Sequence, residues 1–307
     1  MEPGAAPLVF DRTLVRRRLA RAVAGGFESF LLERAVADLE ERLAAVTRPF
    51  AVALDIGTPT PAAAEAVARV RAGIDVVRLA PAPSTAAGRA ISAAVADEEA
   101  LPVGPESVDL AVSLLGLQSV NDLPGALLQI RRALKPDGLL LACLFGGDTL
   151  TELRQSFAAA ESEIEGGASP RVAPFADVRA LGGLLQRAGF ALPVVDVETV
   201  TVRYANAFRL MADLRAMGLS NALAQRRRTP LRRATLLRMA AVYAERFADP
   251  DGRIRATFDM VWLSGWAPHE SQQKPLRPGS ARSRLADALG TTEQRIGPAK
   301  QSEEGED

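Results

Sequence analysis

Five short apolar runs, separated by stretches of helical periodicity, constrain this chain more than any other feature. They cover residues 50–56 (FAVALDI), 74–79 (IDVVRL), 90–96 (AISAAVA), 108–117 (VDLAVSLLGL) and 139–145 (LLLACLF). Runs of this length with little polar alternation read as strands buried on both faces. Residues 27–47, 62–72 and 121–134 read as helices around them, with Asn121 and Asp122 as N-cap candidates and Lys135-Pro136-Asp137-Gly138 as a stop. Strands alternating with helices predict a parallel sheet in a doubly wound, Rossmann-like α/β fold.

The second half adds a helix over 177–188 that stops at Gly189, and an alternating strand over 194–204. Helical stretches at 206–217 and 230–247 precede a last strand at 254–266. The expected domain therefore spans 27–273, a mostly parallel seven-stranded sheet with a helical insertion over about 205–253 before the final strand. Thr149 and Glu152 have capping-box spacing for a helix over 149–160, with Asp148 as a competing N-cap. Residues 1–26 read as a flexible, arginine-rich arm, and 274–307, rich in Pro, Gly, Ser and charge, as a largely disordered tail.

Composition excludes several classes of function. Lys plus Arg and Asp plus Glu each number 37, and a net charge of zero argues against a dedicated nucleic-acid binder. One Cys and one His leave no disulfide framework and no Cys/His metal cluster. The longest apolar run, 139–145, is too short to cross a bilayer, and no signal-peptide stretch opens the chain. A soluble, cytoplasmic protein is expected. Lysine occurs only at 135, 274 and 300. Five arginines lie between Arg12 and Arg21, and six between Arg226 and Arg238. Such clusters read as solvated helix faces, or as surfaces for an acidic protein or peripheral membrane contact.

Particular segments narrow the reading further. They are FDR at 10–12, DIG at 55–57, ADEEALP at 96–102, VNDLP at 120–124, LKPDGLLLACLFGGDTLTELR at 134–154 and HESQQKPLRPGSA at 269–281. With the strand order, these resemble class I S-adenosylmethionine-dependent methyltransferases. Among those, the resemblance is to the methyltransferase-like assembly factors of respiratory complex I, a group described as hydroxylating an arginine on a complex I subunit. The resemblance implies S-adenosylmethionine as cofactor and a protein partner, a complex I subunit. It also implies Asp55 and Gly57 in the cofactor loop and Asp97 and Glu98 beside adenine. No catalytic residue is assigned, because methyl transfer chiefly requires alignment of the reactants.

The departures from that pattern are informative. A loop of the form D-x-G-x-G-x-G here reads Asp55-Ile56-Gly57-Thr58-Pro59-Thr60-Pro61. Proline fixes φ, removes an N–H and sets a ring where the backbone should approach the ligand. The acid that normally holds the ribose hydroxyls is replaced by Ala80, and Gln118-Ser119 stand where the group commonly has His-Trp. A degraded cofactor loop follows, with Pro59 and Pro61 crowding the site. Two functions fit: modification of a protein partner, or a non-catalytic scaffold that binds the partner without the cofactor. His269 reads as an anchor of the C-terminal segment, Cys143 as a core thiol, and Trp262 and Trp266 as packing on one strand face.

Overall fold

In the computed structural model, which describes residues 8–81, 91–272 and 290, the apolar runs assemble into one seven-stranded sheet. Its strands are β1 (Val52–Ile56), β2 (Asp75–Ala80), β3 (Ile91–Val95), β4 (Val108–Leu114), β5 (Leu134–Phe145), β6 (Ala191–Tyr204) and β7 (Ile254–Trp266). The order is β3-β2-β1-β4-β5-β7-β6, parallel except for β7, which runs antiparallel to both β5 and β6. The chain divides into two units, 1–269 and 270–307. The sheet and all the helices named below belong to the first. The expected disordered tail lies almost wholly outside the described residues.

The central strands β1, β4 and β5 are largely apolar because each feeds two cores. By contrast β3, expected to be buried on both faces, is mostly exposed at the sheet edge, and β6 is only partly buried. Along β5, Leu139, Leu141, Cys143 and Phe145 pack into one core with helices α2 (Phe30–Ala45), α3 (Ala62–Val70) and α5 (Thr151–Glu165). Leu140, Ala142 and Leu144 face the other core with α4 (Leu123–Ala133) and α6 (Val178–Arg187). Full burial of such side chains contributes about 1.5–3 kcal/mol each. The insertion between β6 and β7 forms α7 (Ala207–Ala216) and α8 (Arg233–Phe247), which join the first core through Leu210, Leu214, Met239 and Tyr243.

Three local expectations need correction. Residues 12–24 are a helix, α1 (Arg12–Ala24), capped by the Asp11 carboxylate accepting from Leu14 N–H at 3.0 Å. Five arginines in thirteen residues outweigh its short apolar stripe of Val15, Leu19 and Ala22, and the arginines add ionic anchors to that packing. The Lys135–Gly138 segment lies within β5, whose first residue Leu134 pairs with Val108 before a register shift. Finally, α5 begins after Leu150 in a left-handed conformation, with no side-chain cap. Thr149 instead accepts from Asp259 N–H at 3.0 Å, and Glu152 accepts from Thr257 N–H at 3.1 Å. Asp148 is bound through its own N–H to Asp259. The capping-box residues are spent on fastening α5 to β7.

Candidate functional site

In open α/β sheets ligands bind beyond the carboxyl ends of the strands where the strand order reverses, here between β1 and β4. Gly57 leaves β1 with φ +68°, and a Cβ there would lie 2.8 Å from the Glu98 side chain. Gly116, after β4, approaches so closely that a Cβ would lie 2.7 Å from the Gly57 carbonyl oxygen. Glycine is required at 57 by the backbone and at both positions by space.

Asp55 sits at this end of β1, fully buried, and both its oxygens are taken by the protein. Arg78, directly across in the β1–β2 register, places Nη1 2.7 Å from Asp55 Oδ2. Arg78 Nη2 donates to the Thr58 carbonyl at 2.7 Å, and the Thr58 hydroxyl donates to Asp55 Oδ1. That hydroxyl in turn accepts from Leu114 N–H at 3.1 Å, closing a loop between β1, β2 and β4. Burial pushes the Asp55 carboxyl up, while the Arg78 guanidinium and the Thr58 hydroxyl hold it down.

Asp97 and Glu98, just past β3, meet α1. Arg12 Nη2 lies 3.0 Å from Asp97 and also bonds Glu98, Arg12 Nη1 donates to the Ser119 carbonyl at 2.9 Å, and Arg16 bonds Asp97. Burial works to raise the Asp97 carboxyl, but donation from Arg16, Glu99 N–H and Arg12 outweighs it and brings it down to about 2. The structure therefore brings Gly57 and Glu98 together, ties Asp97 and Glu98 to one helix, and locks Asp55 beneath them.

What remains between these groups is a cavity of about 40 Å³, lined by Gly57, Pro59, Glu98, Gly116, Gln118 and Arg12 among others. Sites for ligands of cofactor size run to about 300–1,000 Å³. The residues present do not fit an adenosyl group. Pro59 contributes as its position in the loop implies. Pro61 does not line this cavity; it stands at the N-cap of α3, where its fixed φ of −65° suits a helix start. Arg12 and Arg16 border this cavity, whereas the second proline does not.

These arginines were the missed residues, and one signal for them existed. An arginine inside an apolar strand must find an acid, and Asp55 is the acid of the neighbouring strand. The α1 contacts had no such signal, since they span more than eighty residues of sequence.

A second cavity of about 250 Å³ lies alongside, beyond β4 and β5. Phe10, Phe145, Leu153, Phe157, Phe175 and Leu214 are among its lining. Gln118 borders both spaces; its Nε2 donates to the Leu115 carbonyl at 2.6 Å and its Oε1 is buried without a partner. His269 is exposed and lines neither cavity. Cys143 is buried, which pushes its thiol up. Trp262 packs in the core under the Arg42 guanidinium, 4.4 Å from the ring centroid.

Comparison with known proteins agrees with this architecture. A methyltransferase domain family matches residues 28–193. The mitochondrial arginine hydroxylase NDUFAF5 of Homo sapiens is 39% identical over 302 residues, covering 96% of this chain and 87% of that protein. A malonyl-[acyl-carrier protein] O-methyltransferase of Halorhodospira halophila is 36% identical over 291 residues, covering 92% and 96%. Among solved structures, a Bacillus halodurans protein described as a methyltransferase superposes with a TM-score of 0.53 at 14% identity, covering 76% of this chain and 99% of that one.

Proposed function

The chain belongs to the class I S-adenosylmethionine-dependent methyltransferase family, in the group of the arginine hydroxylase NDUFAF5, and on that footing we propose that it has kept the fold but not the cofactor chemistry. It acts in the cytoplasm in respiratory complex I assembly, by binding a complex I subunit as a scaffold. The reading is carried by one observation: every carboxylate positioned for the cofactor is already bonded to an arginine of the same chain. A charge-assisted pair of this kind is worth about 1.5–3 kcal/mol, so a ligand must displace it before gaining anything of its own.

Titration calorimetry and thermal shift with S-adenosylmethionine test the first half. Neither heat nor stabilisation is expected at millimolar ligand, and saturable binding would return the chain to the working transferases. Restoring Pro59→Gly, Pro61→Gly and Ala80→Asp together is expected to leave binding absent while Arg78 and Arg12 stay in place. Affinity capture from a complemented deletion strain tests the second half: complex I subunits support the scaffold reading, and their absence counts against it.

A further inference from the structure

The cavity of about 250 Å³ beyond β4 and β5 is graded from apolar to cationic. Phe145, Leu150, Leu153, Phe157 and Leu214, all buried, form its inner wall. Arg171 and Arg215 stand on its lining as well, and among the described residues no Asp or Glu does. An anion entering this space meets two guanidiniums and no like charge.

The two arginines have different duties. Arg171 donates through Nε to Glu161 Oε1 at 2.8 Å and lies 5.6 Å from the centroid of the Phe157 ring. Ser169 N–H donates to Glu161 Oε2 at 2.7 Å, and Arg154 Nη2 to the Ala173 carbonyl at 3.2 Å. These bonds fix the segment 169–175, which has no helix or strand, as one side of the cavity. Arg215, in the last turn of α7, is exposed and forms no ion pair among the described residues. Its exposure places an uncommitted cation where the cavity meets solvent.

The volume sets the size of the occupant. An apolar cavity of about 150 Å³ takes up benzene, so about 250 Å³ suits a ligand of roughly ten non-hydrogen atoms.

We propose that this cavity binds a medium-chain carboxylic acid, its chain against the phenylalanines and its carboxylate on Arg215. Octanoate has the matching size. An Asp or Glu side chain is too short to fill an apolar space of this volume with its carboxylate on Arg215. That favours a free acid over an acidic segment of a protein partner. The proposal is independent of whether S-adenosylmethionine or a complex I subunit binds, and its test needs neither.

The full chain is to be titrated calorimetrically with hexanoate, octanoate and dodecanoate below their micellar concentrations, and with octan-1-ol. Octanoate is expected to bind saturably. Each methylene removed should weaken binding about fourfold, making hexanoate about fifteenfold weaker. Dodecanoate should stay within about twofold of octanoate, because the space is already full. Arg215→Ala should weaken octanoate about tenfold and leave octan-1-ol within about twofold, a split that a merely structural arginine does not produce. Arg209→Ala, exposed on the same helix but outside the cavity, should change neither. Met211→Trp, which fills the cavity from α7, should abolish binding of acid and alcohol alike, with the melting temperature reporting that the fold is kept.

No saturable octanoate binding at millimolar ligand would overturn the proposal. So would affinity that keeps climbing through dodecanoate, full binding by a folded Met211→Trp chain, or equal loss of acid and alcohol in Arg215→Ala. Binding of N-acetyl-leucyl-glutamate by a chain that ignores octanoate would also overturn it, and would assign the cavity to a protein partner.

Discussion

Two spaces lie side by side at the carboxyl edge of the same sheet, and they differ in size and in what borders them. Beyond β1–β3 the space is about 40 Å³ and is bordered by Arg12, Arg16 and Glu98, which bond one another or Asp97. Beyond β4 and β5 it is about 250 Å³ and is lined by phenylalanines together with Arg171 and Arg215. Opposite charges inside a cleft draw together when no ligand separates them. The phenylalanine walls attract one another too, with the Phe145 and Phe175 rings 6.3 Å apart, but the backbone that carries them sets how closely they approach. The two spaces thus differ in what spans them: an arginine–carboxylate bond borders the smaller, and ring contacts line the larger.

The sharpest way to break this contrast is Asp55→Ala. It leaves the Arg78 guanidinium buried and unpaired, and should cost about 3–5 kcal/mol in urea denaturation. Replacing both partners, Asp55→Leu with Arg78→Met, should cost distinctly less, because the penalty lies in the orphaned charge. If the single and double variants are equally unstable, the pair is not the lock described.

Gly57→Ala comes next. The left-handed backbone alone costs about 1–2 kcal/mol, and the Cβ would also displace Glu98 and with it Arg12. Proteolysis within residues 8–24 should speed up in this variant if the α1 latch depends on Glu98.

A smaller effect is expected with pH. The Asp97 carboxyl is held at about 2 in the folded chain against 3.8 ordinarily, so the unfolded chain takes up its proton first as pH falls. Its contribution is complete above about pH 4 and lost toward about pH 2. The group is one-third exposed, and solvent screening limits the effect to about 1 kcal/mol. Asp97→Asn should flatten that part of the stability curve.

Smallest of all is Arg34→Ala. Its pair with Glu198 is exposed on both sides and should be worth less than about 0.5 kcal/mol, setting the floor against which the buried pair is judged.

The strands and most helices were legible because burial imposes a local period: IDVVRL and LLLACLF can only be interior strands. The prolines at 59 and 61 were equally plain, since proline acts through its own ring. The α1 helix was not legible, its short stripe of Val15, Leu19 and Ala22 being outweighed by five arginines, and neither was the role of Thr149 and Glu152. Their spacing fits a cap, yet their hydrogen bonds go to a strand more than a hundred residues away.

By itself, then, the sequence determined the fold family and the proline-bearing form of the loop after β1, because both rest on residue type and short spacing. Only the tertiary structure decided which partners the carboxylates around that loop find. Arg78 finds Asp55 through strand register, and Arg12 and Arg16 find Asp97 and Glu98 across more than eighty residues. Buried charge must be paired, but which partner is within reach is a property of packing.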